Sequence, residues 1–165
     1  MNVNEAIKSK RAVRHFSDQP VPDEVILQIL DAGRRSQSSK NTQLWHFLVV
    51  RDKGALMALG ETGDYARHLS RATFAVMLIG EAARWNMFDL GQVAAYMQLA
   101  AWELGVGSCI AAIHRSDDAR AILNIPADKT VDFAISFGYP APDWKPAKLG
   151  GRKPITDVVR YDKWE

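Results

Sequence analysis

Residues 86–107, NMFDLGQVAAYMQLAAWELGVG, carry no charged side chain between Asp89 and Glu103. That stretch limits the fold more than any other. Leu90, Val93, Ala94, Met97, Ala101 and Leu104 recur three or four residues apart, as a buried helical face requires. Tyr96, Leu99, Ala100 and Trp102 fall on other faces. A helix apolar nearly all round must be covered on more than one side. In a chain of 165 residues its own sheet supplies one cover, and a second protomer is the natural other. Asp89 suits the helix start, as a cap or a first-turn acid, with Trp85, Met87 and Phe88 leading in. Those three can cover an apolar ligand or simply join the core. Gly105 stops the helix, because glycine accepts the left-handed cap geometry. Gly107-Ser108-Cys109 then leads into the apolar run Ile110 to Ile113, which reads as a strand.

The chain before this helix reads in short elements. Val3, Ala6 and Ile7 suggest a first helix running into the basic stretch SKRAVRHF, and Gln19-Pro20-Val21-Pro22 is a turn. Asp23 opens a second helix with the stripe Val25, Ile26, Ile29, Leu30 and Gly33. Ser36 to Thr42 is a polar loop, Trp45 to Val50 a strand, and Asp52 starts a helix through Leu59. Phe74 to Gly80 is a buried strand. After the long helix, Ser116-Asp117-Asp118 is expected to cap a short helix ending near Leu123, and Val131 to Phe137 is the last clear strand. The final residues include Ile155, Val158, Val159, Tyr161 and Trp164, too apolar for a free tail. They are expected to wrap over their own domain or a partner. Four strands separated by helices imply an α/β or α+β sandwich in a single domain, residues 1–165.

Several function classes are disfavoured. Cys109 is the one cysteine, so no intrachain disulfide or cysteine-rich zinc site forms. His15, His46, His68 and His114 show no metal-ligand spacing. The formal charge of +2 gives no general argument for nucleic acid. No apolar signal core opens the sequence, and Phe74 to Ile79 is too short to span a bilayer, so a cytoplasmic protein without membrane contact is expected. Neither G-x-G-x-x-G after a strand nor G-x-x-x-x-G-K is present.

Charge is concentrated rather than abundant. In an extended Lys10-Arg11-Ala12-Val13-Arg14, the residues Lys10, Ala12 and Arg14 share one side and Arg11 points away. Such cations can grip a phosphate; taken alone, they equally describe a solvated surface. Ser38, Ser39 and Asn41 can read the edge of a heterocycle or a polyol, or form a plain polar loop. Arg152 follows Gly150-Gly151 and can meet the same anion, or belong to a flexible linker. Cys109 lacks a basic sequence neighbour that would make it a reactive thiolate, which favours a small buried residue.

The order of these segments is more specific than any one of them. Lys-Arg-x-Val-Arg-x-Phe, Ser-x-x-Asn-x-Gln-x-Trp, Asp-x-Gly opening a helix that ends Leu-Gly-Val-Gly-Ser, Gly-Tyr-Pro and Gly-Arg-Lys-Pro-Ile follow one another along nearly the whole chain. The sequence thereby resembles the nitroreductase family of flavin-dependent oxidoreductases. The resemblance implies an α+β, α-β-α sandwich with a mainly antiparallel sheet of about four strands, completed by a C-terminal segment exchanged in a homodimer. It implies one FMN at each of two subunit-interface sites. Lys10, Arg11, Ala12 and Arg14 take the place of the family's Arg-Arg-Ser-x-Arg motif, which meets the phosphate, ribityl chain and pyrimidine edge. Ser38, Ser39 and Asn41 match the loop that reaches the other protomer's flavin, Arg152 the C-terminal phosphate arginine, and Cys109, Ile110 and Ala111 the backbone near the isoalloxazine ring. Arg67 or His68 corresponds to a further polar contact.

Ala12 stands where serine is usual, Lys10 replaces arginine, and Gln37 and Leu44 replace prolines. The implied activity is hydride transfer from NAD(P)H to FMN, then two electrons to a nitroaromatic, quinone or similar acceptor by ping-pong kinetics. No catalytic side chain is nominated. The alternatives are another flavin reaction, such as dehydrogenation or reductive dehalogenation, a flavin-binding protein without turnover, and, more distantly, a basic RNA-binding module.

Overall fold

The computed structural model describes residues 1–83, 86–147 and 151–164. Trp85 and Gly150, invoked above, lie outside them. The elements in chain order are α1 Val3–Ser9, α2 Asp23–Arg34, β1 Trp45–Val50, α3 Lys53–Gly60, β2 Phe74–Glu81, α4 Asn86–Glu103, β3 Gly107–Ala112, α5 Ser116–Leu123, β4 Lys129–Gly138 and α6 Ile155–Val158. The sheet runs β1-β2-β4-β3, every neighbouring pair antiparallel.

Strand alternation sends apolar side chains to both faces, which makes the sheet a middle layer. Phe74, Val76 and Leu78 of β2 join a core with Ile29 of α2 and Val93 and Met97 of α4. Ala75, Met77 and Ile79 face the other way, onto Leu56 and Leu59 of α3 and Ala119 of α5. The result is the expected α-β-α sandwich. Phe74 and Phe137 stack at 4.9 Å across the β2–β4 pair and fill the first core.

Helix α4 buries Leu90, Val93, Ala94, Met97 and Ala101 as its spacing requires. It begins at Asn86, which makes Asp89 a first-turn acid rather than the cap. The face carrying Phe88, Ala95 and Tyr96 is exposed. The C-terminal segment does not wrap its own domain: Ile155, Val158, Tyr161 and Trp164 are all exposed. No described helix is long and apolar enough to cross a membrane.

Three boundaries differ from the sequence reading. Strand β3 begins at Gly107, because residues 107–109 pair with β4 and small residues there do not break the ladder. Strand β4 begins at Lys129. The hydroxyl of Ser116 donates to Val131 O instead of capping α5. Helix α5 stops at Asn124, whose left-handed φ of 53° closes it ahead of Pro126.

The turn from α4 into β3 uses two glycines for different reasons. Gly105 takes φ 76°, the left-handed cap. Gly107 is needed for space, since a β-carbon there would lie 2.6 Å from a methyl of the fully buried Val13. Gly107→Ala is therefore expected to destabilise the fold by about 1–3 kcal/mol, the usual cost of overpacking. Urea denaturation of both proteins measures this, and an unchanged midpoint would mean that Val13 yields freely.

Candidate functional site

The basic segment lies along the edge of the sheet. Ala12 bridges Ser108 of β3 in parallel, and the amide of Val13 donates to Ser108 O at 2.9 Å. Further on, Ser17 N donates to Tyr139 O and Ala141 N to His15 O, while Phe16 is buried. Buried Val13 and Phe16 thus fix a stretch whose polar side chains face outward. Lys10 and Arg14 come together beside Cys109, as the expected alternation requires. Arg11 turns away, and its guanidinium caps the end of α1 through Lys8 O at 2.8 Å and Lys10 O at 2.9 Å.

The electrostatics of this corner are lopsided. Burial holds the Lys10 ammonium below its ordinary value; Cys109 opposes that shift, and the Arg14 charge adds to it. Burial pushes the Cys109 thiol up, against the pull of Arg14 and Lys10. Cys109 is a buried thiol, as the sequence favoured, and its burial disfavours the thiolate. Among the described residues neither Lys10 nor Arg14 has a carboxylate partner within an ion-pair distance. Two neighbouring cations, one half-buried and neither neutralised, are a place for an anion. On the next β3 residue Ile110 is 42% exposed, while Ala111 is buried.

His68 is the residue whose placement the sequence did not give. It lies on the short 3-10 turn Arg67–Arg71 and is buried. Its Nδ1 sits 2.8 Å from Ser136 Oγ, which in turn lies 3.2 Å from Cys109 O. Burial and the nearby Arg14 charge lower its pKa to about 4, opposed by a hydrogen bond with the Ile110 backbone. The partner is 68 residues away, so no local pattern could reveal it. Arg67, the other sequence candidate, is exposed.

The Ser38–Asn41 loop is anchored elsewhere. Its Ser39 amide donates to Asp89 Oδ2 at 3.2 Å, in the first turn of α4. Ser108, the β3 residue that holds the basic segment, meets α4 further along, where Gln98 Nε2 donates to its Oγ at 3.3 Å. Nine residues of helix rise about 14 Å, so these anchors are well separated within one chain. Lys40, Asn41 and Gln43 all have positive φ. Internal bonds support that shape, with Gln43 N donating to Ser38 Oγ at 3.0 Å and Gln43 Nε2 to Asn41 Oδ1 at 3.1 Å. Ser38 and Ser39 border a surface hollow with Gln37, Phe88, Asp89 and Gln92. Arg152 is exposed and makes no hydrogen bond or ion pair among the described residues. The structure therefore groups Lys10, Ala12, Arg14, Cys109 and the Ile110 backbone and leaves Ser38, Ser39 and Asn41 apart from them; no described contact joins Arg152 to either set.

Comparison with known proteins shows the family. The Nitroreductase family profile matches residues 7–80 and 69–139. The chain belongs to the nitroreductase family. An Archaeoglobus fulgidus protein, provisionally named an NADH dehydrogenase/NAD(P)H nitroreductase, is 31% identical over 168 aligned residues, covering 96% of each chain. A solved Parabacteroides distasonis structure of the same provisional name superposes with TM-score 0.89 at 26% identity, covering 98% of both chains. An FMN-dependent nitroreductase from Clostridium difficile superposes with TM-score 0.86 at 27% identity, covering 98% of this chain and 100% of that one. As a nitroreductase the protein is an NAD(P)H-dependent flavin oxidoreductase, with FMN as its cofactor.

The buried imidazole makes stability depend on pH in a defined window. His68 binds its proton near 6.5 when unfolded and near 4 when folded. Its contribution is complete above pH 6.5, falls as the pH drops toward 4, and is constant below both values. His68→Gln is expected to flatten the fall in melting temperature between those two pH values; an unchanged slope would assign the loss to other groups.

Proposed function

We propose that this nitroreductase takes hydride from NAD(P)H and passes two electrons to a nitroaromatic, quinone or similar small acceptor by a ping-pong mechanism, as a cytoplasmic homodimer. The observation that supports the cofactor's placement is the Lys10–Arg14 pair beside Cys109, with no carboxylate partner among the described residues. FMN supplies the redox chemistry when bound, and the protein supplies binding, orientation and electrostatics. Lys10 and Arg14 hold the phosphate end, and Arg152 adds a cation from the C-terminal segment. The backbone at Cys109, Ile110 and Ala111 borders the ring. Arg11 and Ala12 contribute backbone more than side chain: one guanidinium is engaged on α1, and the other residue has no hydroxyl.

The dimer reading rests on exposure and separation. The outer face of α4 and the apolar C-terminal segment need a cover, and the Ser38–Asn41 loop is anchored about 14 Å along the helix from the Ser108 anchor of the basic segment in the same chain. A second copy answers both by bringing its loop to this chain's basic segment. Obligate interfaces of this kind bury roughly 2,000–5,000 Å².

Freshly purified protein is expected to show flavin absorbance. Anaerobic NADH or NADPH should bleach it before any acceptor is added, and acceptor should restore it. Flavin colour without bleaching would instead indicate a binding protein. Arg14→Ala and Arg152→Ala should each weaken FMN binding roughly ten- to a hundred-fold, the loss of a charged hydrogen bond of about 1.5–3 kcal/mol. Purified heterodimers of Arg14→Ala and Asn41→Ala subunits should each carry one intact site, read as half the parental FMN stoichiometry. No restoration would place both residues in the same chain's site.

A further inference from the structure

The loop bearing Ser38, Ser39 and Asn41 has a strained backbone, bonded from within through Ser38 and Asn41 and from outside by α4. Lys40, Asn41 and Gln43 occupy left-handed φ of 52°, 55° and 50°, and none is glycine. Such conformations persist where surrounding structure over-determines them, and they concentrate at ligand-holding sites. The loop is gripped from outside at two points, both on the first turn of α4. Asp89 accepts from Ser39 N at 3.2 Å, at the loop's entry. The carboxamide of Asn86 donates to Leu44 O at 2.6 Å, at its exit. Positions three apart share one helix face, so one helical turn presents an acceptor to the first end and a donor to the second. Asn86 and Asp89 are 6% and 7% exposed, so both bonds are made from the buried side of the loop.

We infer that Asn86 and Asp89 are positioning residues, a two-point clamp by which α4 holds the Ser38–Gln43 loop in its cofactor-reading shape. The inference rests on the proposed function, in which that loop meets FMN. Neither residue touches the cofactor; each acts through the backbone it fixes. Without either bond the left-handed residues relax, and the loop must be reordered at the moment of binding. Because α4 also carries the exposed face proposed to meet a second copy, the clamp ties loop shape to the helix that the partner covers.

The test uses the full-length protein with FMN titration, tryptic cleavage after exposed Lys40 in the flavin-free state, and global melting temperature. Asp89→Ala and Asn86→Ala should each raise the FMN Kd about tenfold, the cost of one lost hydrogen bond, and should selectively speed cleavage after Lys40. Asp89→Asn keeps a carbonyl oxygen able to accept from Ser39 N, and should recover most of both effects. Ser39→Pro removes the same bond from the loop side while leaving α4 intact, and should reproduce Asp89→Ala if that variant fails to fold. Parental cleavage rates in the alanine and proline variants would overturn the clamp. Faster cleavage with parental FMN affinity would keep the clamp's mechanics and overturn its role at the cofactor, and with it the loop's placement. Parent protein that binds no FMN at all would instead overturn the proposed function.

Discussion

The seat of Val13 against Gly107 is the constraint on which the site depends. A side chain with no exposure packs where a β-carbon would otherwise stand, and the same residue's amide bonds Ser108 O. Those two contacts fix the basic segment in register with β3. Lys10 and Arg14 are then held near each other despite like charge, with burial acting against Lys10. Repulsion of this kind is tolerated because hydrophobic packing and a backbone bond position the residues between and beside the charges. The proposed function gives this cost a use, because a bound anion would offset it.

Helix α4 does the remaining organisation. One face supplies core to the sheet, and Gln98 reaches Ser108 from the same side. Its first turn reaches the opposite region, where Asn86 and Asp89 meet the polar loop. A single rigid element therefore sets how far apart the basic segment and the polar loop lie within one chain. A helix can do this because its backbone bonds are internal, leaving side chains on every face free for separate tasks. The outer face remains uncovered in one chain, as do the apolar residues of the C-terminal segment.

Comparison of neighbouring groups shows why the corner favours binding over side-chain catalysis. Cys109 and His68 are the chemically versatile residues there, and burial drives each to its neutral form. A thiol pushed up and an imidazole pulled down carry no charge near neutral pH, so the positive field of Lys10 and Arg14 stands unopposed. The chemistry is left to the flavin that defines the family.

The sequence by itself determined the periodicities: the buried stripe of α4, the strands 45–50 and 74–80, the glycine stop at Gly105, and the side shared by Lys10 and Arg14. These are local rules, because side-chain direction repeats every two residues in a strand and every 3.6 in a helix. The ordered motifs added the family. Only the tertiary structure decided that β3 begins at Gly107, that His68 lies on Ser136, and that Asp89 bonds the Ser39 amide 50 residues away. It also decided that Arg11 folds back on α1, although its type fits the motif. Each of these depends on which distant backbone group lies within hydrogen-bond reach. Hydrogen bonds select by distances of a few tenths of an ångström, and such distances are fixed by packing across the sheet, not by the spacing of residues along the chain.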